Sequence, residues 1–257
     1  MGFVKEDRTL VWGHRGASGY APENTIQSFE LAVKQGADGV ELDVQLTKDG
    51  KIVVIHDEWV DRVSDGRGWV KDYTLAELKK MNFNRTHPEY KRAEIPTLEE
   101  VYELLAPTGL TVNVELKTGV FFYPGLVEKV MKATAKAQME ERVIYSSFNH
   151  YTCRYVHEKD PQALVGFLFG DGIYRAPDYV AELGGNAIHP MISNVQYPDF
   201  LADAARLDLP VNVWTTGQGE SMLPLVMEMG VNAVITNYPD RMLKTAEEVA
   251  KGVKQNV

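Results

Sequence analysis

The chain has 257 residues, 44% hydrophobic and 25% charged, with a formal net charge of -9. That composition suits a globular protein with a full core, and the acidic balance argues against nucleic-acid backbones and anionic membranes, which recruit basic surfaces. One cysteine, Cys153, excludes an internal disulfide and a thiolate metal cluster. Met1 to Arg8 has no apolar signal-like run and no stretch reaches the ~20 apolar residues of a membrane span, so a cytoplasmic protein without stable membrane anchoring is expected.

Thr9 to Gly13 reads as a short apolar strand ending in His14-Arg15-Gly16. Asn24, with Gln27 three places on, reads as a helix N-cap. Ile26, Phe29 and Val33 give that helix an apolar face and Gly36 stops it. Val40 to Leu46 then alternates apolar and polar residues, the period of a strand. Lys48-Asp49-Gly50-Lys51 supplies a turn, and Ile52 to Ile55 a β-branched return strand. With the turn centred between Asp49 and Gly50, position 43 lies opposite position 56. Glu41 and Asp43 share a face, so this hairpin draws two carboxylates and His56 onto one patch.

Residues 57–96 are less regular and read as an insertion, with a short helix capped by Thr74 and Glu77. Thr97 with Glu100 starts another helix. Strand-like runs follow at 111–116, 143–146, 164–169, 187–189, 211–215 and 233–236. Helix-like stretches lie near 124–138, 149–159, 177–183, 197–207, 219–229 and 239–252. With the strands near 10–13 and 39–43 the count is eight, and the return strand of the hairpin is left over. The expected fold is α/β: a single (β/α)8 TIM barrel over residues 1–257, with a small insertion after the second strand. A doubly wound sheet is disfavoured, because no G-x-G-x-x-G follows the first strand.

Barrel active sites lie where strands end. Those ends supply His14 and Arg15, then Glu41 and Asp43 with His56, then Glu115 and Lys117, and later Ser146, His189 and Trp214. Charges on inward positions must be paired or metal-bound. Three carboxylates without cysteine suit a hard divalent cation, Mg2+ or Ca2+; the alternative is plain salt bridges to Arg15 and Lys117. His14 and His56 suit general acid–base work, and Arg15 and Lys117 suit an anionic group such as a phosphate. Trp214 is either core or a wall against the substrate. His189 is either part of the site or locally hydrogen-bonded. Phe121-Phe122-Tyr123 is a packed rim loop, a substrate contact or an oligomer interface.

His14-Arg15-Gly16, Pro22-Glu23-Asn24-Thr25, the Glu41-Leu42-Asp43 hairpin ending in His56-Asp57, Pro96-Thr97-Leu98 and Glu115-Leu116-Lys117 resemble the glycerophosphodiester phosphodiesterases. Ser146-Ser147-Phe148, Trp214-Thr215 and Ile235-Thr236-Asn237-Tyr238-Pro239 extend the likeness in the family's order, from residue 10 to about 240. The chain looks like a cytosolic bacterial member. The resemblance implies a TIM barrel with an insertion after the second strand and a divalent cation on Glu41, Asp43 and Glu115. It also implies His14 and His56 as the acid–base pair, with Arg15 and Lys117 on the phosphate. One departure is Gly217, where many members carry Asn. The activity implied is metal-dependent hydrolysis of a small glycerophosphodiester to sn-glycerol 3-phosphate and an alcohol. Lysophospholipase D activity on the same scaffold and a non-catalytic phosphodiester-binding barrel are the alternatives.

Overall fold

The computed structural model describes residues 7–255; residues 1–6, part of the N-terminal stretch read above, and 256–257 lie outside that description. The chain opens with β1 (Leu10–His14), α1 (Ile26–Gln35), β2 (Gly39–Leu46), β3 (Ile52–Val54) and the short α2 (Leu75–Leu78). α3 (Leu98–Leu105), β4 (Thr111–Leu116), α4 (Leu126–Lys136), β5 (Val143–Ser147), α5 (His150–Lys159), β6 (Leu164–Phe169) and α6 (Ala176–Glu182) follow. β7 (Ala187–Pro190), α7 (Phe200–Arg206), β8 (Asn212–Trp214), α8 (Leu223–Glu228), β9 (Ala233–Thr236) and α9 (Pro239–Gln255) complete the order.

The parallel strands run β7-β6-β5-β4-β2-β1-β9-β8. Single parallel bridges, Ile188 to Val211 and Met191 to Trp214, join the two ends of that order. The result is a nearly closed eight-stranded barrel with helices between its strands. β3 pairs antiparallel with β2 outside it.

Period-two alternation sorts each strand into two faces. Val40, Leu42 and Val44 of β2 and Val112, Val114 and Leu116 of β4 enter the main core beneath the helices. The inward residues Leu10, Trp12, Ile144, Ala233 and Ile235 form a separate apolar cluster inside the barrel. Further along the strands the inward positions become polar: His14, Glu41, Asp43, Glu115, Ser146 and His189. Burying such groups is costly unless they are partnered, so this layer is where chemistry is expected. Residues 57–96 have little regular structure but their own apolar cluster, in which Val60, Val63, Leu78 and Phe83 pack on Val53 and Ile55.

Three local expectations are corrected. The N-cap of α1 is Thr25, in a reciprocal box with Ser28, and not Asn24. The hairpin register is shifted by one, with Val44 opposite Val54, so Asp43 faces Ile55 and not His56. The cause is a three-residue loop: Thr47 and Lys51 close it through Thr47 N–H to Lys51 O, and Gly50 takes φ +69°. The helix expected over 219–229 begins as a 3-10 turn at Gly217–Met222, and α8 proper starts beside Pro224, which fits a first helical turn because it has no N–H to donate.

Candidate active site

After β1 the backbone turns sharply. Arg15 sits at φ +55° and Gly16 at φ +81°. A Cβ on Gly16 would lie 2.5 Å from the Ser28 hydroxyl, so only glycine lets this turn close on the start of α1. The turn aims Arg15 N–H at Glu41 Oε2, 2.9 Å away. The Arg15 guanidinium pairs with Glu23 at 2.8 Å and lies 3.5 Å from Asp43 Oδ2. Asn24, freed from capping, donates from Nδ2 to Asp43 Oδ2 at 2.8 Å.

Strand register assembles the acidic group. His14 lies beside Glu41 across β1 and β2, and Asp43 beside Glu115 across β2 and β4. One carboxylate oxygen from each of Glu41, Asp43 and Glu115 falls within 4.8 Å of the others, and all three residues are buried. Burial, then the Asp43 charge, pushes the Glu41 pKa well above its usual value. Burial also raises Glu115, against the opposing Lys117 charge. Burial would raise Asp43 as well, but the His56, Arg15 and Lys117 charges outweigh it and hold Asp43 below its usual value. Carboxylates this close must share a proton or a cation. Asp43 Oδ1 accepts no hydrogen bond among the described residues, and three carboxylate oxygens form a donor set fit for a hard divalent cation. The residues therefore fit the implied metal.

Lys117 Nζ lies 3.0 Å from Glu115 Oε1 and 3.9 Å from Asp43 Oδ1. Burial works against its charge, yet these carboxylates prevail and raise its pKa. His14 Nδ1 lies 2.8 Å from Asn237 Oδ1, and its Nε2 is 3.9 Å from Glu41. Burial, then the Arg15 charge, pushes the His14 pKa down to about 3. His56 Nδ1 meets Asp57 at 2.6 Å, and Arg62 ties Asp57 to Glu23. His56 and Arg15 are thus connected through Asp57, Arg62 and Glu23, while His14 is held separately by Asn237.

His14, Arg15, Glu41, His56, Glu115 and Trp214 line a cavity of about 470 Å³, with Phe148 and Asn237. Trp214 meets Phe148 edge to face, 5.4 Å between centroids, and its Nε1 donates to His189 O. Asp43 and Lys117 lie outside that lining. His189 is fully buried and accepts from Asn212 Nδ2 at 2.9 Å; it does not line the cavity. Of the aromatic run, Phe121 and Tyr123 pack inward and Phe122 is exposed. Glu23, Asp57, Arg62 and Asn237 carry no assigned role in the sequence, and Asn24 only that of a cap. The Pro22-Glu23-Asn24-Thr25, His56-Asp57 and Ile235-Thr236-Asn237-Tyr238-Pro239 motifs were the available signals for all of these but Arg62.

Residues 14–241 match the glycerophosphoryl diester phosphodiesterase family. The chain belongs to that family. It is 42% identical over 237 residues to a glycerophosphodiester phosphodiesterase of Caldanaerobacter subterraneus subsp. tengcongensis, covering 92% of this chain and 97% of the relative. A Bacillus altitudinis glycerophosphodiester phosphodiesterase is 37% identical, with 94% and 99% covered. The fold matches a glycerophosphodiester phosphodiesterase of Agrobacterium tumefaciens, with TM-score 0.78, 26% identity and coverage of 90% and 97%. It also matches an Oleispira antarctica phosphodiesterase solved with the product sn-glycerol-3-phosphate, with TM-score 0.80, 29% identity and coverage of 93% and 97%. Like its relatives, the chain is a phosphodiester hydrolase of the TIM-barrel type. Among the described residues no helix is long and apolar enough to cross a membrane.

Proposed function

We propose that this phosphodiesterase hydrolyses small glycerophosphodiesters to sn-glycerol 3-phosphate and an alcohol, with Mg2+ or Ca2+ on Glu41, Asp43 and Glu115. The observation that carries this is the convergence of three buried carboxylates beside a cavity lined by two histidines and Arg15. The product complex of the Oleispira antarctica relative supports the product named. A bound divalent cation supplies Lewis-acid stabilisation of phosphoryl oxygen and lowers the pKa of a nucleophilic hydroxyl.

The remaining work falls to side chains. Arg15 offers a planar fork and Lys117 a point charge to the non-bridging oxygens, offsetting charge that grows in the transition state. Neutral His14, with its Nδ1 proton facing Asn237, presents the Nε2 lone pair to the attacking hydroxyl and takes its proton. His56, oriented by Asp57, gives a proton to the leaving alkoxide. The cytoplasm is the proposed setting, consistent with the free, buried Cys153.

The test is release of glycerol 3-phosphate from glycerophosphocholine by metal-stripped protein, before and after Mg2+ or Ca2+ is restored, alongside His56→Ala. Metal-restored turnover that His56→Ala removes is expected; metal-independent turnover contradicts the reading. The half-exposed Phe148 beside Trp214 favours a second reading, a lysolipid whose chain rests on that wall. Faster turnover of lysophosphatidylcholine than of glycerophosphocholine would select it.

A further inference from the structure

We infer that Gln45, locked by Tyr123, is a positioning residue that bends the backbone carrying His56 into the site. Its consequence for rate rests on the catalytic part proposed for His56.

Gln45 is fully buried on β2, two residues past Asp43 on the same inward face, and does not line the cavity. The β2–β3 ladder, continued, would set His56 opposite Leu42, a residue of the outer core. That face points away from the carboxylates. Instead the ladder ends at Ile55, and three successive carbonyls turn onto one atom. The two Nε2 protons of Gln45 serve all three, one of them shared: Ile55 O at 3.1 Å, His56 O at 3.0 Å and Asp57 O at 2.9 Å. Carbonyl oxygens gathered this way repel one another without a donor at their focus. The amide of Gln45 is that donor, and the segment curls around it.

The amide is also held in one orientation. Tyr123 Oη donates to Gln45 Oε1 at 2.9 Å. A flipped amide would point Oε1 at three carbonyl oxygens and Nε2 at the hydroxyl. Tyr123 is itself fixed: it is buried at φ +43°, edge-on to Phe121 at 5.9 Å, which is edge-on to Trp69 at 5.1 Å. The loop that starts at Lys117 is thereby tied to the segment bearing His56. This also accounts for the aromatic run: Tyr123 supports the site from behind.

The test uses the metal-loaded full chain with glycerophosphocholine. Gln45→Met and Tyr123→Phe are each made alone and with His56→Ala, and the His56 ring signals are followed by NMR. Gln45→Met is expected to lower kcat on the order of 10²-fold with KM unchanged, the scale of a misplaced catalytic group. In the His56→Ala background it should cost nothing further, because it acts through that ring. Tyr123→Phe, which leaves the amide in place, should lower kcat less than about tenfold, the scale of one neutral hydrogen bond, with the same non-additivity. Both variants should shift or broaden the His56 ring signals. Equal losses with and without His56, or unchanged His56 signals in both variants, overturn the inference. If Gln45→Met does not fold, Tyr123→Phe decides alone. A wild type without diesterase activity, or His56→Ala with full activity, defeats the proposed function instead, and the ring signals still judge the positioning.

Discussion

Around the barrel rim, β1, β2 and β4 carry His14, Glu41, Asp43 and Glu115, while β5 to β8 carry Ser146, Leu168, His189 and Trp214. All occupy inward positions on strands of one barrel. On the first side every charge has a counter-charge or a donor: Arg15 on Glu23 and Asp43, Lys117 on Glu115, Asn24 on Asp43. On the second side His189, among the described residues, meets neutral groups, Asn212 and the edge of Trp12. Position at a strand end alone therefore does not set an inward histidine against charge. Among the described residues, charge faces the first side.

The sharpest way to break this contrast is to exchange roles. His56→Ala should lower kcat by roughly 10²–10⁴-fold, the range of a lost acid–base group, whereas His189→Gln should leave kcat and KM unchanged in the same assay. Next, Arg15→Lys keeps the charge but loses the fork. It should lower kcat/KM by about 10–100-fold, as hydrogen bonds between charged groups are lost, with Tm measured in parallel to exclude unfolding.

On the neutral side the effects should fall on stability. A Cβ at Gly166 would lie 2.5 Å from His189 Nε2. Gly166→Ala should therefore destabilise by about 1–3 kcal/mol in urea titrations, the usual cost of overpacking, without changing metal affinity. The smallest expected effect is a pH dependence. Burial alone depresses His189 from 6.5 to about 3. The unfolded chain then takes up the proton first, so this contribution to stability is complete above 6.5 and declines as pH falls toward 3. Between pH 7 and pH 6 wild type should lose under about 1 kcal/mol that His189→Gln does not lose.

The same contrast separates what was legible in the sequence. The strands, the barrel and the charged motifs were readable because alternation and residue type are local signals. His56 beside Asp43 was expected for a register the hairpin does not have; the three-residue loop shifts the pairing and the curl around Gln45 restores the meeting. Neither loop length nor the focus of three carbonyls is written in residue types. Asn24 followed a capping pattern, but Thr25 next to it is also a capping residue and takes the position, and only the fold shows that Asn24 reaches Asp43. His189 stayed undecided because its neighbours Asn212 and Trp12 come from other strands.

The most direct measurement is calorimetric titration of Mg2+ or Ca2+ into metal-stripped wild type, Glu115→Gln and Trp214→Phe. One cation per chain is expected in wild type and Trp214→Phe, with Glu115→Gln binding at least about tenfold more weakly, as loss of one charged partner requires. Equal affinity in all three proteins would contradict the assignment of the metal to the charged side of the barrel.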